Sequence, residues 1–169
     1  MSSSPNEVQT FQRILQKFLS LPKANSNPTF MEICQMGGDR FEERCSQVLR
    51  FFLTPDAPHK LRGLFLSSLL EVVGKSELTF SHTEPKVFTE EMTEDRKFID
   101  ITVVAEDFVM AIENKIGASL YNPLDSYVSH IQKNYTKQKE HIFIVLSVRS
   151  ISDAAEIKKM KQYGYHYVN

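Results

Sequence analysis

The fold is decided by residues 98–115, FIDITVVAEDFVMAIENK, which form two apolar runs on either side of Glu106 and Asp107. Runs rich in β-branched residues and separated by a short polar step predict two antiparallel strands joined by a tight turn. The second run ends in the polar triplet Glu113-Asn114-Lys115, where a buried strand would ordinarily end in apolar residues. The sequence therefore predicts a functional site at the open end of this hairpin.

Strand geometry predicts that charged side chains meet at this end. Side chains two residues apart on a strand share a face, so Glu113 and Lys115 are expected to project together while Asn114 points to the other side. In a hairpin that turns near residue 106, Asp100 on the first strand comes close to Glu113. Two carboxylates placed together repel each other and have raised pKa values unless a positive charge lies between them.

A divalent cation fits this arrangement. Carboxylate oxygens suit a hard ion such as Mg²⁺, which retains several waters and takes one or two protein carboxylates. Such an ion lowers the pKa of a water and neutralises charge on a phosphate that undergoes in-line displacement. The compact ammonium of Lys115 is suited to orient the attacking water or to stabilise the phosphate. The other possibility at a strand end is a structural salt bridge among the same groups.

The rest of the chain predicts helices around these strands and two further strands. Apolar spacing and breakers indicate helices at about 6–20, 40–53, 59–73, 123–135 and 152–162, a connector at 22–40, an irregular extended segment that could supply a third strand at 78–92, and strands at 141–148 and from 165. This order predicts an α/β fold with a central mixed β-sheet flanked by α-helices.

Length and composition favour a single domain. The chain has 169 residues, with 41% hydrophobic and 24% charged residues, so it can bury a sizeable core. We expect one domain over residues 1–169, with an N-terminal helical region at about 1–75 and a sheet core at about 76–169. The last predicted strand stops at Asn169 almost as it begins, which predicts a chain truncated at its C terminus.

Charge and hydropathy exclude some classes of protein. The net charge is −1, which argues against a protein that coats nucleic acid by bulk charge. No apolar run reaches the length of about 18 residues that a membrane helix requires. The first residues, MSSSPNE, are neither basic nor apolar, so no export signal is predicted and the protein is expected to be cytoplasmic, without a membrane partner.

The charged triplet and its partner match a known pattern. Asp100, followed after twelve residues by Glu113-Asn114-Lys115 on the next apolar strand, resembles the signature of the PD-(D/E)XK nuclease superfamily, which has the restriction-endonuclease-like fold. The segment 41–70, with its glutamate, serine, leucines, proline and histidine, is similar to the opening of one bacterial branch. IENKIGA, followed by a helix with Leu124 and Tyr127, is similar to the same branch.

The resemblance covers roughly residues 41–147 and implies a function. It implies a nuclease that hydrolyses phosphodiester bonds of DNA with Mg²⁺, for which Mn²⁺ can substitute. Asp100 and Glu113 would bind the metal, Lys115 would be the catalytic lysine, and a helical glutamate would assist the metal site. Whether the chain forms a homodimer stays open.

The helical glutamate is assigned by helix periodicity. Glu42 shares one side of the first helix with Ser46, Leu49 and Leu53, beside an apolar stripe that includes Phe41, Cys45, Val48 and Phe52. Glu43, Gln47 and Arg50 form the predicted solvent side. Glu42 is therefore preferred to Glu43 as a metal ligand and catalytic residue.

One departure from the branch keeps a second hypothesis open. The branch usually has Gln-Leu-x-x-Tyr after the lysine, whereas PLDSY here has Pro123 in the glutamine position. Asn122 could substitute for the glutamine, and the other candidate substrate-binding residues are Tyr127, His130 and Lys133. The alternative is a catalytically inactive module on the same fold that binds nucleic acid or a protein.

Overall fold

The computed structural model describes residues 41–78, 80, 84–116 and 122–169, together with isolated positions between 9 and 20. Its helices are α1 (Phe41–Leu53), α2 (Leu64–Val72), α3 (Leu124–Asn134) and α4 (Ala154–Gln162). Its strands are β1 (Lys86–Met92), β2 (Phe98–Val104), β3 (Phe108–Lys115), β4 (Glu140–Ser147) and β5 (Tyr165–Val168).

The strands form one mixed sheet in the order β1-β2-β3-β4-β5. β1, β2 and β3 are antiparallel neighbours, whereas β3, β4 and β5 run parallel. The parallel connections pass through α3 and α4, as a parallel pair requires a crossover. The predicted α/β fold, with a central mixed sheet flanked by helices, is confirmed. The hairpin is confirmed as well, and Ala105 N donates to Phe108 O at 2.9 Å across its turn.

Each face of the sheet carries its own hydrophobic cluster. On one face, residues of α1 and α2 such as Leu53 and Leu66 pack against Ile101 and Ile112. On the other, Leu124 and Ile131 of α3 pack with Val109, Ala111 and Val145. Every residue of β3 is buried, because this central strand is covered on both sides. A charged side chain placed at its end is therefore also removed from water.

Two boundaries differ from the sequence prediction. The extended segment at 78–92, which could supply a third strand, forms the shorter edge strand β1 and pairs with β2 on either side of Glu90. The second helix begins at Leu64 rather than near 59. Lys60 and Arg62 have φ values of 62° and 50°, so the backbone before Leu64 is not helical. His59 Nδ1 accepts a hydrogen bond from Leu61 N at 2.9 Å in this turn.

The face that α1 presents to the sheet also differs. The buried residues of α1 are Ser46 and Leu53, whereas Phe41, assigned to the apolar stripe, is 54% exposed. Gln47 and Arg50, assigned to the solvent side, contact β1 through Thr89 Oγ1 at 2.9 Å and Val87 O at 3.2 Å. The solvent-side assignment holds for Arg50, which is exposed, but was wrong for Gln47, which is half-buried because β1 extends the sheet beneath this side of the helix.

Some predictions fall on residues that the structure does not describe. The connector at 22–40 lies outside the described residues, as do residues 117–121 after IENK. Within the predicted helix at 6–20, the described positions 9, 10, 12–14, 16 and 17 are helical. Among the described residues, no helix combines the length and apolarity needed to cross a bilayer.

Candidate active site

The candidate site lies where β2 and β3 separate. Their ladder runs from Val104–Val109 to Ile101–Ile112, and one further step would place Asp100 opposite Glu113. The pairing stops there instead. Asn114 N donates to Asp100 Oδ2 at 2.7 Å, so a side-chain oxygen replaces the next backbone acceptor. Asp100 is thereby fixed beside the end of β3.

The direction of Asp100 follows from a reversal in β2. Ile101 packs in the cluster with α1 and α2, whereas Ile99 packs in the cluster with α3 and α4. Residues two apart on a regular strand would share a face. The reversal occurs at Asp100, opposite Glu90 of β1, where the β1–β2 pairing is interrupted. Glu90 has a φ of 55°, a left-handed conformation that is uncommon for a residue other than glycine.

Glu113 and Lys115 lie on the same face of β3. Lys115 Nζ is 2.8 Å from Glu113 Oε1, and Glu113 is 1% exposed. This ion pair engages Oε1, whereas the buried Oε2 of Glu113 has no hydrogen-bond partner among the described residues. Buried polar atoms nearly always have partners. Glu113 therefore has a capacity for a positively charged ligand that these residues do not use.

The start of α1 supplies Glu42 to the same end of β3. Glu42 Oε1 accepts a hydrogen bond from Ile116 N at 3.1 Å, and Oε2 lies 3.7 Å from Lys115 Nζ. The helix is fixed to β3 by Asn114, whose Nδ2 donates to Ser46 Oγ at 3.2 Å. Ser46 Oγ in turn donates to Glu42 O at 3.1 Å. Asp100, Glu113, Lys115 and Glu42 thus gather at one end of the sheet.

The carboxyl groups of the site have raised pKa values. Burial raises the pKa of Glu113 from 4.5 to about 8, the charges of Asp100 and Glu42 add to this, and Lys115 opposes it. Burial also raises the pKa of Asp100, against the hydrogen bond from Asn114 and the charge of Lys115, while Glu42 and Glu90 raise it further. The single ammonium of Lys115 does not offset the negative charge of Asp100, Glu113 and Glu42.

The pKa of Lys115 is raised even though the residue is buried. Burial lowers the pKa of Lys115, but the charges of Glu113, Glu42 and Asp100 raise it by more, so that its pKa lies above 10.5. Lys115 is therefore an ammonium at neutral pH and can donate hydrogen bonds, but it has no lone pair with which to act as a base.

A comparison with protein families identifies the chain. The family model described as the PD-(D/E)XK nuclease superfamily matches residues 30–168. The chain belongs to this nuclease superfamily. Searches of curated proteins and of solved structures found no significant match. Membership indicates a hydrolase that acts on phosphodiester bonds of nucleic acid, and nucleases of this superfamily generally use divalent metal ions, usually Mg²⁺.

The donors present suit a cation that takes few protein ligands. Among the residues that the structure describes, no group of three or more His, Cys, Asp or Glu side chains is arranged to hold a metal ion. Glu42, predicted as a third ligand, accepts from Ile116 N through Oε1, and its role toward a metal ion stays a prediction. Mg²⁺ requires only one or two protein carboxylates, and the buried Oε2 of Glu113 has no hydrogen-bond partner among the described residues. Asp100 and Glu113 therefore fit such an ion.

The predicted substrate-binding residues lie on or next to α3. Tyr127 is 2% exposed, and its hydroxyl donates to Phe98 O at 2.7 Å and accepts from Asn122 Nδ2 at 3.3 Å. His130 Nε2 lies 3.0 Å from Glu91 Oε1, and Lys133 forms an ion pair with Glu94. The structure thus gives each of these residues a contact within the protein. Their roles toward a substrate stay predictions.

Sequence reasoning missed the role of Asn114. Its backbone N–H holds Asp100 and its side chain holds Ser46, so a single residue fixes the strand and the helix that carry the acidic groups. A signal was present, since a polar residue at a strand position predicted to face the helices requires a partner. Ser46, on the same side of α1 as Glu42, was that partner.

Proposed function

We propose that the chain is a metal-dependent nuclease that hydrolyses phosphodiester bonds of DNA, with Asp100 and Glu113 binding Mg²⁺ and Lys115 assisting the attacking water. The observation that carries this proposal is the buried carboxyl group of Glu113: Lys115 engages its Oε1, but its Oε2 has no hydrogen-bond partner among the described residues. An ion pair kept for stability would have its oxygens satisfied. A carboxylate that binds a cation needs an oxygen that no other group in the protein occupies.

Each group has a task that follows from its position. Bound between Asp100 and Glu113, Mg²⁺ (or Mn²⁺) would neutralise charge on the phosphate and activate water. Lys115 remains protonated, so its Nζ donates hydrogen bonds to the water or to a phosphate oxygen. Glu42 holds Lys115 and the backbone of Ile116 in place. Asn114 holds Asp100, so that the acidic groups keep their relative positions.

Cleavage of plasmid and linear DNA in Mg²⁺ or Mn²⁺ tests this proposal. We expect cleavage by the full chain, and a loss of at least about 100-fold in Asp100→Asn and in Lys115→Ala, as is typical when a group that stabilises the transition state is removed. Lys139→Ala is the matched control, since Lys139 pairs with Asp107 at the opposite end of β3. Equal cleavage in Lys115→Ala and wild type would contradict the role of Lys115.

One observation favours the inactive binding module. Pro123 occupies the N-cap position of α3 and gives no side-chain hydrogen bond there, where related chains of the branch usually carry a glutamine. Asn122 is adjacent, but its Nδ2 donates to Tyr127 and its carbonyl accepts from Lys159 Nζ at 2.6 Å. DNA binding without cleavage, unchanged by EDTA, would support the module over the enzyme.

A further inference from the structure

Glu90 has an unusual backbone conformation, and no partner for its charge lies among the residues that the structure describes. It is not at a turn but within β1, and its φ of 55° interrupts the pairing with β2 at Asp100. Glutamate has no preference for the left-handed region, whereas glycine and asparagine tolerate it. Such strain persists where the surrounding structure imposes it, and it is concentrated at functional sites.

The backbone conformation has a structural explanation. Just before Glu90, the side chain of Thr89 points toward α1, since Thr89 Oγ1 accepts a hydrogen bond from Gln47. Just after Glu90, the side chain of Glu91 points toward α3. Glu91 Oε1 accepts a hydrogen bond from the Tyr135 hydroxyl at 2.9 Å and contacts His130. The reversal in β1 accompanies the reversal in β2 that directs Asp100. A glycine or asparagine would perform this task with less strain.

The charge of Glu90 is not explained by the protein alone. Within the part of the chain that the structure describes, no hydrogen bond or ion pair involves the carboxylate of Glu90, which is exposed to solvent. Its register position, between the pairs Thr89–Ile101 and Glu91–Ile99, places it opposite the acid Asp100. An acid that repels a neighbouring acid becomes favourable when a cation lies nearby.

We propose that Glu90 is a further acidic residue of the cation site, whose carboxylate acts on the hydrated ion through water rather than by direct ligation. The inference rests on the proposed function. It depends on the position of Glu90 opposite Asp100 and on the interrupted ladder between them. The buried Oε2 of Glu113, which has no hydrogen-bond partner among the described residues, independently indicates a cation at this end of the sheet. Glu90 is thus a positioning residue that strengthens cation binding.

Calorimetric titration of Mg²⁺ into the full chain without nucleic acid tests the role of the charge. Glu90→Gln removes the charge and keeps the length, and we expect a loss of affinity of about 3- to 10-fold, as for one partly screened charge near a divalent ion. Glu90→Asp keeps the charge in a residue that tolerates the left-handed region, so its affinity should stay within about twofold of wild type. Glu106→Gln, an exposed acid beyond the other end of β2, should do the same.

The outcomes distinguish this inference from the proposed function. Wild-type affinity in Glu90→Gln, or an equal loss in Glu90→Asp, would overturn the role of the Glu90 charge even if DNA is cleaved. A chain that binds Mg²⁺ more weakly in Glu90→Gln but cleaves no DNA would uphold this inference and overturn the nuclease. A wild-type chain that binds no Mg²⁺ would overturn both. Melting temperatures without cation report whether each variant is folded.

Discussion

The charges at the two ends of β3 are organised in opposite ways. At the turn end, they form one-to-one pairs at the surface: Lys139 with Asp107 at 3.0 Å, which is exposed, and Lys75 with Glu140 at 2.8 Å, which is half-exposed. At the open end, the acids Asp100, Glu113 and Glu42 gather around the ammonium of Lys115. Exposed pairs contribute little to stability and need no further ligand. Glu113 is buried and Asp100 and Glu42 are half-buried, and acids withdrawn from water in excess of their cations are costly.

This difference teaches how to separate structural from functional charges. Residue type does not separate them, since Lys, Glu and Asp occur in both groups. The two groups are separated by their burial and by the balance of positive and negative charge. A surplus of buried negative charge is stable only when a proton or a cation compensates it. The predictions below test whether the open end differs from the surface pairs in this respect.

The largest effect is expected for Glu113→Gln. The substitution keeps the shape of the side chain but removes the charge that would bind the cation, so DNA cleavage should fall by at least about 100-fold. Initial rates of plasmid nicking in Mg²⁺ measure this. Glu140→Gln, which removes a carboxylate from a surface pair, should leave the rate unchanged. Retained cleavage in Glu113→Gln would show that the charge of Glu113 is not needed for catalysis.

The metal-free protein should lose stability as the pH rises from about 4.5 to 8. The pKa of Glu113 is raised from 4.5 to about 8 in the folded chain, so the folded state holds the proton more tightly than the unfolded state. The stabilising contribution is fully present below pH 4.5 and is lost as the pH passes 8, on the order of a few kcal/mol in total. Urea unfolding at several pH values with EDTA measures it.

The corresponding control is the same pH series in Glu113→Gln. Glutamine does not titrate, so the decline assigned to Glu113 should be absent from this variant. The surface pairs cannot produce the same profile, because Lys75 lowers the pKa of Glu140. A group of that kind loses its contribution as the pH falls. An identical decline in both proteins would assign the pH dependence to another group.

A smaller effect is expected where α1 is fixed to β3. Ser46→Ala leaves the buried Nδ2 of Asn114 without its 3.2 Å partner, which should lower the free energy of unfolding by about 1–3 kcal/mol. Cleavage should fall as well, because Asn114 also holds Asp100. Ser129→Ala is a matched control, since the exposed Ser129 hydroxyl only donates to Asp125 O in its own helix. Equal stability losses in the two variants would contradict the account.

The smallest effect is expected for a surface pair. Lys139→Ala removes an exposed ion pair, and we expect no measurable change in chemical denaturation at physiological salt, because exposed pairs are screened and entropically costly. A marked loss of stability would show that the surface pairs are structural supports and would weaken the contrast with the open end.

Local pattern predicted most of the sheet. β2, β3 and the turn between them followed from β-branched runs, because a strand buried on both faces requires apolar residues at every position. The pattern was weaker for β1, where exposed Phe88 and Met92 alternate with residues that face the helices. Its pairing with β2 depends on long-range contacts, which no local window contains.

The site was predictable only in part. The spacing of Asp100, Glu113 and Lys115 placed them at one end of a hairpin, and helix periodicity distinguished Glu42 from Glu43. The separation of β2 from β3 at Asp100 was not predictable, because it occurs opposite the left-handed Glu90 of a third strand, whose pairing no local window contains. The solvent side of α1 was misassigned for a similar reason, since the sequence does not show which side of a helix an edge strand will cover.

The most direct test of the buried charge surplus is the number of protons released when Mg²⁺ binds. Calorimetry at pH 7 in two buffers of different ionisation enthalpy measures it. Because the pKa of Glu113 is about 8, the carboxyl is mostly protonated at pH 7, and Mg²⁺ binding should release about one proton. In Glu113→Gln, binding and release should both be lost. Mg²⁺ binding without proton release, or unchanged binding in Glu113→Gln, would contradict the account.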